Sequence, residues 1–225
     1  MTTSLSVALR EATDAEHKRA ESSEFITGLL RGASCFSAFT ALAVQQYIIY
    51  QALEDVLHEH YLDHRLLAAV DDRRLDRSPS IQRDLTTLIG TDFEVQLADG
   101  TIPICPATVA YARALREEHS PEMILAHHYV RYLGDLSGGQ VISRLVQRHY
   151  DVPGQGLHFY RFEGIEKLKV YKDNYRAALD RITLNPGQQH RIIDHAARAF
   201  DFSGAVFTDL ASAKTPLHRA AGLPG

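Results

Sequence analysis

The side chains best suited to chemistry lie close together in Ala126-His127-His128-Tyr129-Val130-Arg131-Tyr132-Leu133-Gly134-Asp135-Leu136-Ser137-Gly138-Gly139-Gln140. Three glycines inside a helical pattern cost about 1 kcal/mol each relative to alanine, so each needs a compensating use. Gly134 and Gly138 are four apart and share one face, where the missing Cβ atoms let a flat molecule approach the backbone. Small residues at this spacing also serve close helix–helix crossings, but an acid between them points to more than packing. Asp135 sits beside the same opening and suits a site that needs close approach together with a proton relay. Leu136 to Gln140 also matches the signature loop of ABC-type ATPases. Those proteins require a G-x-x-x-x-G-K-[ST] phosphate loop and a parallel sheet alternating with helices, and the chain shows neither pattern.

Twelve histidines are candidates for a metal ligand. His17 flanks a stripe formed by Leu5, Leu9, Ala12, Glu16 and Ala20, from which its imidazole can reach a crevice between helices. Glu21, four residues further on, can contact His17 or a water on the same side and tune its basicity. His58, His60 and His64 have a metal-like spacing, but they close a long helix beside Glu59 and Asp63 and read as a solvated terminus. His127 and His128 precede the glycine segment, and one of them is expected to face the core and need a hydrogen-bond partner. The Glu-x-x-His pairs of di-iron carboxylate proteins are absent. Cys35 and Cys105 are the two cysteines, too few for a disulfide framework and outside any C-x-x-C spacing, which removes the usual zinc and iron–sulfur readings.

These groups need helices to hold them. Phe36, Phe39, Ala43, Tyr47, Tyr50, Leu53, Leu57 and Tyr61 recur every three or four residues and predict one long amphipathic helix. Ile165, Leu168, Tyr171, Tyr175, Leu179 and Ile182 predict another, ending before Asn185-Pro186, a cap followed by a first-turn proline. Ser120-Pro121 repeats that start ahead of a long segment reaching about Tyr150. Shorter helices are expected over Leu5 to Glu21, Ile81 to Ile89 and Pro106 to His119, with Asp71 to Ser80 a charged surface loop. No run alternates as a strand would. The chain of 225 residues, 45% hydrophobic, reads as one all-α domain over residues 1–210 with a polar tail, 211–225. With 28 acidic against 24 basic residues, a broad attraction to nucleic acid is not expected. The start lacks a signal-peptide pattern and no stretch approaches the roughly 20 apolar residues of a membrane span. A cytoplasmic protein without a membrane anchor is expected.

The run from Tyr129 to Gln140 resembles the signature of the haem oxygenases. Leu9-Arg10-Glu11-Ala12-Thr13 with His17, Ala20-Glu21 and Glu24-Phe25 resembles the family's proximal-ligand helix, and Lys169 to Tyr175-Arg176 after Phe159-Tyr160 resembles the later helix at the haem edge. Together these patches cover nearly the whole chain. The resemblance implies a helical domain that holds haem b, at once substrate and cofactor, between a proximal helix bearing His17 and a distal helix bent around Gly134 to Gly139. It implies cleavage of haem by O2 to biliverdin, carbon monoxide and ferrous iron, with electrons from an external reductase or ferredoxin and iron release as the purpose. It puts the iron on His17 and assigns Asp135, supported by Arg131 and Tyr50, to a water network that passes a proton to the bound oxygen. Gly134 and Gly138 pack on the ligand, while Lys18, Tyr129, Lys172 and Arg176 face its propionates and Glu21 and Phe200 also line the site. A propionate clamp of this kind predicts cleavage at the α-meso carbon. Ser203 stands where many members carry an asparagine. A non-catalytic haem carrier or sensor is the alternative, sharing His17 and the crevice but with no use for the Gly-Asp arrangement. Cys105-Pro106 resembles regulatory haem-binding dipeptides, yet a helix start with Pro106 in the first position accounts for it.

Overall fold

The computed structural model describes residues 4–213. Ten α-helices make up its framework: α1 (Leu5–Ala12), α2 (Asp14–Glu21), α3 (Glu24–Leu30), α4 (Phe36–His60), α5 (Ser78–Leu88), α6 (Phe93–Ala98), α7 (Pro106–Glu117), α8 (Pro121–Tyr150), α9 (Leu168–Asp180) and α10 (Pro186–Ser212). No strand occurs among the described residues, as the lack of alternation predicts. None of their helices is long and apolar enough to cross a membrane.

The long helices begin where the sequence signals them. Ser120 Oγ accepts from the Met123 N–H with Pro121 in the first turn, and Asn185 and Gln188 form a reciprocal capping box ahead of Pro186, so backbone donors that would otherwise be orphaned are satisfied. α8 and α10 pack along each other, α4 lies against α5 and α7, and α2 and α3 rest on α10. The core between them carries three fully buried phenols, Tyr50, Tyr111 and Tyr132.

Several boundaries differ from the sequence expectation. The segment Leu5 to Glu21 is two helices, because Thr13 leaves helical geometry at φ −109°, ψ 8° and its hydroxyl donates to the Leu9 carbonyl, a local bond that competes with helix continuation. Only the first of the two carries buried residues, so the stripe running from Leu5 to Ala20 is interrupted and His17 sits on a short polar helix held against its neighbours. Helix α9 starts at Leu168 and leaves Ile165 in the preceding turn. The short helices α3 and α6, of seven and six residues, are too short to show a periodic pattern in the sequence. α8 stays helical across Gly134 to Gly139, so the glycines do not break it. Helix α10 continues past residue 210 to Ser212, and residues 214–225 of the expected tail lie outside the described residues.

The largest departure is Asp71 to Ser80. It contains a short 3-10 turn, Arg73–Leu75, and Arg77 there is only 2% exposed. The Arg77 guanidinium donates to the carbonyls of Leu75, Phe159, Arg161 and Arg74 and lies 4.1 Å from the centroid of Phe162. A charged residue is tolerated inside because its donors are spent on carbonyl oxygens.

Glu54 ties three helices together. Its carboxylate accepts from the N–H groups of Arg77 and Ser78 at the start of α5 and from the Tyr132 hydroxyl of α8, and burial pushes its pKa up. Glu54→Ala strands these buried donors and is expected to cost about 3 kcal/mol of stability. A denaturant titration measures the loss, and a midpoint unchanged within error would show that water replaces the carboxylate.

Candidate functional site

Between α1, α2, α8 and α10 lie two hollows of about 350 and 380 Å³ that share His17, Val130, Gly134, Ser137 and Phe200 in their walls. The first is lined by polar groups, among them Ser6, Arg10, Asp14, Tyr129 and Arg176. Ile26, Leu29, Leu42, Phe159, Tyr160 and Phe207 give the second an apolar wall. The pair forms an elongated cleft with one apolar and one cationic end, the layout suited to a large planar molecule carrying anionic substituents at one edge.

The floor is the glycine face of α8. A Cβ built on Gly134 meets nothing within 4 Å, and one on Gly138 meets only Ile142 Cδ1 at 3.9 Å. These two glycines therefore keep space open above the helix, whereas Gly139, where a Cβ would stand 3.2 Å from Tyr160 Cδ1, serves close packing. The pair Gly134 and Gly138 is thus not a helix–helix crossing, and the close packing falls to Gly139 against a 3-10 turn.

On the other side, His17 Nδ1 stands 3.5 Å from Glu21 Oε2, and the imidazole is half exposed. Its ring meets the Phe200 ring edge-on at 5.8 Å. Glu21 also lines the apolar hollow. An imidazole with one nitrogen directed to a carboxylate leaves the other available as a ligand.

Beside the glycine floor, the Tyr50 hydroxyl of α4 donates to Asp135 Oδ2, and the Arg131 guanidinium lies 4.3 Å from the centroid of the Tyr50 ring. Arg131 Nε is buried with no hydrogen-bond partner among the described residues. Enclosure pushes the Asp135 carboxyl up to about 6, with the positive charge of Arg131 and the Tyr50 hydrogen bond opposing it. Asp135 and Arg131 both open onto the apolar hollow. The expected trio of Asp135, Arg131 and Tyr50 is thus one contiguous group at the cleft.

The Asp135 carboxyl also sets a pH dependence of folding. Its folded-state pKa lies above the unfolded value, so its contribution to stability is present below about pH 4 and is lost as pH rises through about 6, by up to about 3 kcal/mol. Asp135→Asn removes this dependence. The variant is expected to match the wild type in denaturant melts near pH 4 and to exceed it above pH 7; a stability difference that does not change with pH would contradict the burial account.

Of the four groups expected at the anionic edge, Tyr129 and Arg176 line the polar hollow, and Lys172 Nζ donates to Ser137 Oγ at 3.2 Å, which places it at the rim. Lys18 instead pairs with Asp14 Oδ2 at 2.6 Å and is absent from both walls. The cation that the first helix supplies is Arg10, a residue of the proximal patch outside the four expected at the propionates. It lies seven residues before His17, two helical turns in an unbroken helix, and that spacing was the available signal. Ser203 lines the apolar hollow, but its hydroxyl donates to the Ala199 carbonyl.

Other candidates have structural partners. His127 and His128 are both interior, each bonded to a tyrosine hydroxyl, Tyr111 and Tyr175 respectively, at 2.8 Å, and burial pushes both down to about 3. His58 faces Arg73 and Asp76, His60 stacks on His119, and His64 accepts from the Leu66 N–H. No group of three or more His, Cys, Asp and Glu side chains suited to a metal ion occurs among the described residues. Cys105 precedes Pro106 at the start of α7 in extended backbone, and burial pushes its thiol up.

The family model described as heme oxygenase matches residues 3–209. Heme oxygenase from Rhodella violacea is 34% identical over 213 residues, covering 93% of this chain and 88% of that protein. Heme oxygenase 1 from Rattus norvegicus is 33% identical over 223 residues, 97% of this chain and 75% of that protein. Among solved structures, heme oxygenase-1 from the cyanobacterium Synechocystis in complex with heme superposes with a TM-score of 0.87 at 30% identity, covering 93% of each chain.

Proposed function

This chain belongs to the haem oxygenase family, and on that footing we propose that His17 is the iron ligand, that Gly134 and Gly138 floor the oxygen-binding side, and that Asp135 delivers the proton the reaction needs. The reaction is the oxidative cleavage of haem to biliverdin, carbon monoxide and iron with O2 and external electrons. Haem itself supplies the oxygen activation. The observation that carries the assignment is the cleft itself, where one wall offers a carboxylate-backed imidazole and the other an open glycine face beside an enclosed acid.

The residues divide the work by position. His17 and Phe200 hold one face of the macrocycle, while the open backbone at Gly134 and Gly138 admits the other face closely enough to confine a small ligand between ring and helix. Asp135, held by Tyr50 and adjoined by Arg131, orders water and moves a proton at its carboxyl oxygen. The apolar wall from Leu29 to Phe207 keeps bulk water out. Electrons come from an external donor, a reductase or ferredoxin, and two free cysteines fit a reducing compartment, which favours the cytoplasm.

Arg10, Tyr129 and Arg176, with Lys172 at the rim, form the edge that receives the propionates. Each exposed charge pair contributes only about 0.2–1 kcal/mol, so affinity rests mainly on burying the ring. Orientation needs less: about 1.4 kcal/mol between two in-plane rotations is a tenfold preference. The wild type is expected to cut at the α-meso carbon. Replacing both Arg10 and Arg176 with alanine is expected to leave haem affinity within about tenfold while releasing some β or δ isomer. Pure α product on chromatography would assign the regiochemistry to the walls instead.

Incubating the protein with haem and a reductant under air, and following the absorption spectrum, tests the activity directly. Conversion of the haem band to that of biliverdin is expected. A haem complex that persists through many equivalents of reductant would leave a carrier or sensor.

A further inference from the structure

The apolar hollow contains a phenol that the roles above leave unused. Tyr160 closes the short 3-10 turn His158–Tyr160 and lines the same wall as Asp135 and Phe159. Its place is fixed twice from α8: its carbonyl accepts from Gln140 Nε2 at 2.6 Å, and its ring edge fills the notch left by Gly139. Its hydroxyl makes no hydrogen bond to protein among the described residues, and it feels the charge of Asp135. A wall needing only bulk would be served equally by phenylalanine. Tyr50 already spends its hydroxyl on Asp135, so a water on the cavity side of the carboxyl group needs another partner.

We propose that Tyr160 is a positioning residue whose hydroxyl holds the water through which Asp135 acts. One ordered water can accept from the phenol and donate to a carboxylate oxygen, satisfying both groups. That geometry fixes where the proton is released, whereas Tyr50 fixes only the carboxyl group. The inference rests on the reading of Asp135 as the proton-delivering group.

The test uses Tyr160→Phe, which deletes one oxygen and keeps the ring. In the haem-free protein, the Asp135 carboxyl is titrated by infrared spectroscopy, its band assigned by its loss in Asp135→Asn. A phenol-held water stabilises the carboxylate, so Tyr160→Phe is expected to raise the midpoint by roughly half a unit. Gly139→Ala, which displaces the ring by a few tenths of an ångström, is expected to shift it in the same direction. With haem, the biliverdin formed per haem consumed is expected to fall roughly threefold in Tyr160→Phe, for about 0.7 kcal/mol of lost positioning. A high-resolution crystal structure of the wild type is expected to show a water within hydrogen-bond distance of both Tyr160 Oη and Asp135. An unshifted midpoint, or no such water, overturns the proposal. Failure of the Asp135 reading would appear separately, as normal biliverdin formation by Asp135→Asn.

Discussion

Asp135→Ala is expected to bind haem as the wild type does and to form biliverdin at least about 10²-fold more slowly, the usual contribution of a positioned proton donor. The reason lies in three facts about one carboxyl group. It opens onto the cleft beside the glycine floor, it is held in a fixed orientation by the Tyr50 hydroxyl, and enclosure raises its pKa to about 6. A carboxyl group with that affinity for protons exchanges them with water near neutral pH, which an ordinary surface aspartate does poorly. Replacement by alanine removes the exchange and admits unordered water, so oxidation is expected to be diverted to peroxidase-like turnover of added phenols. Asp135→Asn separates shape from proton transfer: it retains hydrogen bonding and bulk, and is expected to lose biliverdin formation nearly as fully. Wild-type product rates from both variants would remove Asp135 from the mechanism and leave the glycine face as the only steering element.

What the sequence reveals follows from which constraints are local. Caps and periodicity are local, so Ser120-Pro121, Asn185-Pro186 and the stripe from Phe36 to Leu57 mark the long helices correctly. The break at Thr13 is also local, but it depends on a threonine hydroxyl choosing the Leu9 carbonyl, an option every helical threonine has and few use to end a helix. Arg77 inside a charged stretch reads as surface because its acceptors, the carbonyls of Phe159 and Arg161, come from a distant part of the chain. The same holds at the site. Gly134, Asp135 and Gly138 announce themselves as a cluster, and Glu21 is within one turn of His17. Tyr50 comes from a different helix, and only the packing of α4 on α8 brings its hydroxyl to Asp135. At the cationic edge Arg10 takes the place expected of Lys18 because Lys18, about 100° in azimuth from His17, turns to Asp14 instead of the cleft. The apolar wall of Leu29, Leu42 and Phe207 gives no signal, since nothing distinguishes residues facing a cleft from residues facing a core.

His17→Ala is expected to abolish the imidazole-bound haem spectrum while leaving haem bound. The two effects separate because the cleft binds the ring mainly by burying apolar surface, at roughly 25 cal/mol per Å², and that surface belongs to Phe200, Val130, Phe159 and their neighbours rather than to His17. The ligand bond contributes electronic control. With Nδ1 facing Glu21 at 3.5 Å, the other nitrogen acquires more anionic character, and loss of that donor is expected to stop biliverdin formation. Because α2 carries no fully buried residue, the cavity left by the deleted ring is open to solution and accessible to a small ligand. Free imidazole at millimolar concentration is therefore expected to restore both the spectrum and part of the activity. Glu21→Gln is the graded control: it keeps the ligand, weakens the polarisation, and is expected to shift the spectrum less than the deletion does. A His17→Ala spectrum identical to that of the wild type would move the iron ligand to another side chain and, with it, the assignment of which face of the cleft meets oxygen.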